Sequence, residues 1–462
     1  MVCPLDRSLL KLVSEKASKH WGRKTLPPFF VMMSTNMLSR RPLPTSANTH
    51  ALYGSVWQAA LPLMVLALGH TISNLVRTLP AVSADLVAQD LMVSAGDIAA
   101  MTGFYHLAFA AGQIPVGVAL DRYSVKAVIS TLLGIIVVGS VFAALIQGPA
   151  GFVITQIILG IGCCGMLLCP LTYAARTTDP SRFALWSAVI LAIGNTGMVI
   201  SASPMAWLIE HYGWRLAYGL PALFALIVLV TVQLTIRPVR PSHEVPASVG
   251  SEIREVLKIG ISPVLRGVIV LAFVSFAVMI GVRGMWGGPW LMEAKGMARV
   301  SAGNVLLVLT LMLIVMPMAI GLIEKRFGRP YMLLAIGHVL AGVALVLIPT
   351  GAENGFLARV MGIDVLSARF DITLIVAFGV VISVQPLLFA LGRASVEPRH
   401  AGKALSAVNL SFFVGAAAIQ AVSAPVNASF GLAGIFVFLG VLSILGGCGL
   451  WFFRNVGAQN VQ

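Results

Sequence analysis

The sequence predicts an all-α integral membrane protein with twelve transmembrane helices in two pseudo-symmetric six-helix bundles, and three observations support this. Of the 462 residues, 58% are hydrophobic and 10% charged, with a mean hydropathy of +0.93. A soluble domain holds about 45–50% apolar and 25% charged residues, so this chain has too little polar surface to face water. Apolar tracts of the length a bilayer crossing needs, about 20 residues, recur between positions 57 and 454. Features of the first half also return in the second at a near-constant offset.

The tracts run near 57–81, 97–120, 126–147, 151–174, 184–208, 216–236, 264–291, 300–323, 330–350, 371–393, 402–426 and 432–453. Residues 57–236 make the first bundle and 264–454 the second. Between them, 237–263 carries Pro238, Pro241 and Pro246 with mixed charge and reads as a cytosolic linker. Residues 1–56 are polar and basic, and their longest apolar run, Phe29–Met33, is too short for a signal-peptide core. They read as a cytosolic tail without fixed structure. Their Arg, Lys and Ser content also fits an organellar targeting peptide, with Met32, Met33 or Met37 as alternative starts. Residues 455–462 form a short C-terminal tail.

The repeat supports the six-and-six division. Gly117, ahead of Asp121 and Arg122, lies 204 positions before Gly321, which precedes Lys325 and Arg326, and Tyr212-Gly213 returns as Phe430-Gly431 at an offset of 218. An insertion around 351–369 accounts for the increase. Internal repeats of this kind place a transporter's substrate site between the halves, near the bilayer midplane.

The formal net charge of +14 is topological rather than a sign of nucleic-acid binding. With both termini in the cytosol, the inside segments carry 8, 2, 2, 5, 3, 3 and 1 Lys or Arg, 24 together, against five outside: Arg215, Lys295, Arg299, Arg359 and Arg369. That bias sets orientation and fits a multi-pass protein of the inner (plasma) membrane. Cys3, Cys163, Cys164, Cys169 and Cys448 lack disulfide or metal-ligand spacing and read as packing residues. No Gly-x-Ser-x-Gly, His-Glu-x-x-His or phosphate-binding glycine loop occurs. The expectation is therefore a non-enzyme without cofactor or metal, driven by gradients rather than ATP and working as a monomer.

Gly117-Val-Ala-Leu-Asp121-Arg122-Tyr-Ser-Val-Lys126, after Ala111-Gly-Gln-Ile-Pro115, resembles the signature loop between the second and third helices of the major facilitator superfamily. The resemblance implies gating: the glycine lets helices approach closely, and the charges lock the two halves on the cytosolic side. The second copy, Gly321-Leu-Ile-Glu324-Lys325-Arg326-Phe-Gly328-Arg329, is degenerate, with Lys325 in place of the aspartate; Arg326 keeps its place. Gly213-Trp214-Arg215 also resembles a turn common in this superfamily. Two departures stand out. Gln156 takes the place of an arginine ahead of Gly160 and Gly162, and the fifth span has Gly194, Gly197 and Pro204 but not the Gly-Pro-x-x-Gly-Gly of drug/proton antiporters.

Ionisable residues within a span are functional-site candidates by default, and few are present. His70, Asn74 and Arg77 share one face of the first span, at i, i+4 and i+7. Arg283 in the seventh span lies 206 positions after Arg77, so the two arginines occupy near-equivalent places. A symmetric guanidinium pair suits carboxylate or phosphate, which points to a small organic anion. Both arginines lie toward the outer ends of their spans, and snorkelling to headgroups is the competing reading. Trp286 and Trp290 read either as walls of a site or as an interfacial belt. His70 and Asn74 read either as site residues or as a helix-packing hydrogen bond, and Gln385 and Asn409 are candidate cavity-lining residues. No Asp or Glu lies deep in a span, since Asp97 and Asp371 sit at span starts and Glu210 and Glu293 at ends. His70 and His106 are thus the candidates for proton coupling, with anion exchange as the alternative.

Three functions remain at this point. The leading one is uptake of a small organic anion, with protons as possible co-substrate. The others are export of amphipathic compounds by the same fold, and a non-transporting sensor or assembly factor that holds partners through residues 1–50.

Overall fold

The computed structural model describes residues 56–179, 182–238, 248–397 and 400–458. The predicted tail up to residue 55, residues 239–247 of the linker and the last four residues lie outside the described residues. No strand occurs among the described residues. Among the described residues, eleven helices are long and apolar enough to cross a membrane: α1 Ala60–Val82, α2 Ala95–Arg122, α3 Val125–Leu145, α4 Pro149–Thr177, α5 Leu185–Tyr212, α6 Trp214–Thr235, α7 Arg266–Ala294, α8 Arg299–Phe327, α9 Pro330–Gly351, α10 Ala368–Ala394, and Ala401–Phe453. The last, at 53 residues, is more than twice what a crossing needs. Gly431, with φ 63 and ψ −170, breaks it into α11 (401–430) and α12 (432–453). The twelve crossings are those the apolar tracts predict, six on each side of the linker.

Local chemistry fixes several helix ends. Ser94 and Asp97 make a reciprocal capping box at the start of α2, and Ser124 caps α3 by accepting from the Ala127 backbone N–H. Pro149 and Pro330 open α4 and α9, where a missing N–H costs nothing. Three segments read from sequence as loop contain helices: Ala84–Leu91, Val249–Gly260 in the linker, and Phe356–Val360. The linker helix buries Val256 and directs Glu252 and Glu255 onto Lys403 of α11. The final helix runs on to Ala458, past the predicted start of the C-terminal tail.

The repeat has a backbone basis. Gly213 joins α5 to α6 with φ 82 and ψ 164, and Gly431 joins α11 to α12 in the same region, which only glycine occupies readily. The fourth helix of each half is also interrupted at matching points: α4 between Cys163 and Leu168, α10 between Ile382 and Leu387.

Small residues let the halves meet along a close seam. A Cβ on Gly103 of α2 would lie 3.1 Å from the Ala417 carbonyl oxygen of α11, and one on Gly303 of α8 would lie 3.1 Å from the Ser203 Cα of α5. The approach is tightest where α1 ends, since a Cβ on Gly288 of α7 would lie 1.6 Å from the Ala81 carbonyl oxygen. At that end Arg299 donates to both carboxylate oxygens of Asp85, at 2.8 and 2.6 Å, to the Val82 carbonyl at 2.8 Å and to Glu210 at 3.2 Å. The opposite end carries the Asp121 loop.

A second charged cluster lies inside the second half. Lys295, just past α7, sits 3.0 Å from Asp371 of α10, their side chains 2% and 0% exposed. Lys295 also donates to the Gly351 and Leu366 carbonyls, and the Trp290 indole N–H donates to Asp371. The sequence places Asp371 at the outer start of a span, and the fold buries it by laying Trp290 and Lys295 over it.

Two outcomes follow. Gly431→Ala is expected to destabilise the protein by about 1–3 kcal/mol, because alanine cannot relax at that φ and ψ. Lys295→Met is expected to cost about 3–5 kcal/mol by stranding the Asp371 carboxylate, with Asp371→Asn in the same chain restoring part of the loss. Chemical unfolding in detergent micelles reads both; an unchanged Lys295→Met midpoint would show that the pair contributes nothing to stability.

Candidate functional site

The site is built outward from α1. Asn74 is fully buried. Its amide donates to the Gly194 carbonyl of α5 at 2.9 Å and lies 3.3 Å from His70 Nε2, while its oxygen accepts from Arg77. The His70 ring fills the space over Gly194, where a Cβ would lie 1.9 Å from the ring, and Gly197 faces the Thr71 carbonyl just as closely. The predicted face of His70, Asn74 and Arg77 therefore exists, with its first two members fixed against α5.

Arg77 reaches from the first half to the second. Its guanidinium carbon lies 5.5 Å from the ring centre of Phe276 on α7 and 5.7 Å from that of Phe413 on α11. Arg283 makes the reciprocal reach from α7. It donates through Nε to the Thr310 hydroxyl of α8 at 2.5 Å, and through Nη2 to the Met198 carbonyl and the Ser201 hydroxyl of α5 at 2.5 and 3.1 Å. The two arginines are linked through the first half: Ser201 lies 2.6 Å from the Thr78 hydroxyl, which donates to the Asn74 backbone carbonyl. Arg77 Nε and Arg283 Nη1 are buried without a hydrogen-bond partner. Neither guanidinium pairs with a carboxylate among the described residues, where the ion pairs engage other cations.

Burial removes the interfacial-belt reading and, for Arg283, the snorkelling one. Arg283 is 0% exposed and so does not snorkel to headgroups. It lies in a fully buried π-helical turn, Val282–Trp286, of the kind common at functional sites. Trp286 and Trp290 are each 1% exposed, with their indole N–H groups bonded to Ser423 and Asp371, and so form no interfacial belt.

The remaining candidates are dispersed. Gln385 sits in the interruption of α10, half-buried, with an unpartnered amide nitrogen. Asn409 donates across the seam to Gln113 of α2 at 3.0 Å, and Gln113 donates to the Cys164 carbonyl freed by the interruption of α4. Gln113 was missed in the sequence, where a lone amide two residues before Pro115 in an apolar run is the available signal. His106 is 1% exposed, with Nδ1 against the Thr102 carbonyl and Nε2 unpartnered. Around it Phe109, Phe276 and Phe413 form an aromatic cluster that apolar periodicity does not distinguish from core. Gln156, where the family pattern has arginine, is buried with its amide nitrogen unpartnered.

The gating candidates lie at the other end of the bundle. A Cβ on Gly117 or Gly321 would meet nothing within 4 Å, so neither glycine mediates close helix approach here; Gly160 does, since its Cβ would lie 2.4 Å from the Tyr105 carbonyl. Asp121 lies 4.0 Å from Arg176 of α4, and Lys126 donates to the Gln233 carbonyl in the last turn of α6. These contacts of Asp121 and Lys126 stay within the first half rather than crossing to the second. Arg122 and Arg326 lie exposed in the last turns of α2 and α8.

Solved structures with this fold include the nucleoside transporter NupG, at 11% identity over 85% of this chain and 100% of that one, with TM-score 0.69. A POT family transporter in complex with 5-aminolevulinic acid aligns at 14% identity over 87% and 98%, with TM-score 0.70. A bacterial homolog of the human lysosomal transporter Spinster, inward-facing and unoccupied, aligns at 15% over 88% and 99%, with TM-score 0.66. No curated protein sequence matches the chain significantly. The family model for the Major Facilitator Superfamily matches residues 66–420, spanning both halves and every residue of the arginine site. With twelve crossings in two repeated halves and a charged site on their seam, the chain is a multi-pass membrane transporter that belongs to the Major Facilitator Superfamily.

Proposed function

We propose that the chain takes up a small organic anion, a carboxylate or phosphorylated metabolite, by alternating access, with the anion bridging Arg77 and Arg283. The observation that carries this is the pair of guanidiniums reaching across the seam, Arg283 fully buried and Arg77 half-buried, each with a buried nitrogen lacking a hydrogen-bond partner and neither paired with a carboxylate among the described residues. A buried charge without a counterion is costly, and an anion entering between the halves offsets that cost at both arginines together. His70 and Asn74, joined in series to Arg77, act as positioning groups, and Trp286, Gln385 and Asn409 are assigned to the wider path of the anion.

The Lys and Arg bias supports cytosolic termini in the inner membrane. The Arg299 clasp then closes the external side, and outward opening requires breaking its bonds to Asp85 and Glu210. Gly117, Asp121, Arg122, Lys126 and Arg326 act on the cytosolic side, where movement of α2 against α4 and α6 changes the partners of the loop. Coupling is to protons through His106. A backbone carbonyl only accepts, so Nδ1 carries the proton toward Thr102 and leaves Nε2 as the basic nitrogen.

Thermal shift of the purified protein against carboxylates, phosphate esters and lipophilic cations tests the site. An anion at about 100 times its Kd stabilises the fold by roughly 2.7 kcal/mol. Arg77→Ala and Arg283→Ala are expected to abolish that shift, and Arg77→Lys to weaken affinity about tenfold or more by losing the planar fork. Stabilisation by lipophilic cations alone would replace this reading with export of amphipathic compounds. In proteoliposomes, collapsing the pH gradient is expected to slow uptake severalfold, and His106→Gln to remove that dependence. Uptake indifferent to the gradient in the wild type would mark exchange instead of symport.

A further inference from the structure

We infer that the anion recognised here carries a planar aromatic ring, which slots between Phe109 and Phe413 while its acid group meets Arg77. This rests on the anion reading above and narrows it to aromatic carboxylates.

The geometry is specific to a flat group. Phe109 of α2 and Phe413 of α11 belong to opposite halves, and their rings stack across the seam at 3.9 Å with 22° between planes. Phe276 of α7 lies 4.9 Å from Phe413, and the His106 ring stacks on Phe413 at 6.2 Å. Phe109, Phe276, Phe413 and His106 are all buried. The Arg77 guanidinium lies over two of these rings, so charge and ring faces are adjacent.

When the halves part during transport, the aromatic contacts across the seam must break, and the tightest of them is Phe109 on Phe413, with His106 on Phe413 and Phe276 farther apart. A planar ring entering there replaces one stacked pair with two, while a saturated ring of the same size recovers only contact area. A carboxylate on that ring, or one carbon from it, reaches Arg77, whose Nε has no partner. An aromatic cation meets the Arg77 charge and is repelled, and a neutral arene leaves that charge uncompensated.

Benzoate and cyclohexanecarboxylate test this, having the same charge and nearly the same size but differing in planarity. Calorimetric titration of the full-length protein in detergent is expected to give benzoate a roughly 2- to 10-fold lower Kd. Phe109→Leu and Phe413→Leu, which keep apolar bulk on two different helices, should each bring the ratio toward one. Arg77→Ala should abolish binding of both acids. Equal affinities in the wild type, or a preference that survives both leucine variants, would overturn the ring slot and leave the anion reading intact. If succinate and a phosphate monoester bind through Arg77 while benzoate does not, the ring slot fails alone. If no anion binds, both readings fall.

Discussion

A guanidinium taken out of water must find its oxygen atoms elsewhere, and Arg283 finds them on two neighbouring helices. Thr310 of α8 and Met198 and Ser201 of α5 accept from it, and two of those three belong to the opposite half. The bonds are charge-assisted and sit where no water competes, so they set the register of α7 against α5. The chain from Ser201 through Thr78 to Asn74, and from there to Arg77, transmits that register to α1. Anything that draws Arg283 toward an anion loosens the same bonds that hold the halves together. If Arg283 binds the anion as proposed, ligand recognition and the relation between the halves are coupled at one side chain.

The seam around this network is made of small residues because lipid gives helices no hydrophobic reason to associate. Close backbone approach supplies the dispersion contact instead: Gly103 against Ala417, Gly303 against Ser203 and Gly288 against Ala81. The interruptions of α4 and α10 obey the related rule that non-helical backbone at membrane depth must have its polar groups satisfied within the protein. Gln113 takes the carbonyl of Cys164, and the Ser383 hydroxyl bonds back to Gly379.

The sequence showed the fold clearly because twelve apolar tracts and a charge bias are summed over many residues, and single errors wash out. Tyr212-Gly213 and Phe430-Gly431 were legible because the backbone there tolerates only glycine. The helix face carrying Arg77 was legible because the spacing follows from helix geometry. The site as a whole was less so. The π-helical turn that buries Arg283 has no local signature, so its position near a span end left headgroups open as a competing reading beside the anion clamp. Asp371 looked peripheral for a similar reason, since what buries it is the fold of Trp290 and Lys295 over it. Phe109, Phe276 and Phe413 are indistinguishable from lipid-facing residues until the helices bearing them are brought together.

The single-residue junctions at Gly213 and Gly431 have a mechanical consequence. With no loop between them, α5 and α6, and likewise α11 and α12, have no slack to slide past one another and must swing as stiff two-helix levers. The compliance for any swing then has to come from within other helices. The interruptions of α4 and α10 and the π-helical turns of α7 are where regular helical hydrogen bonding is already given up. The protein thus carries its joints inside its struts rather than at their ends.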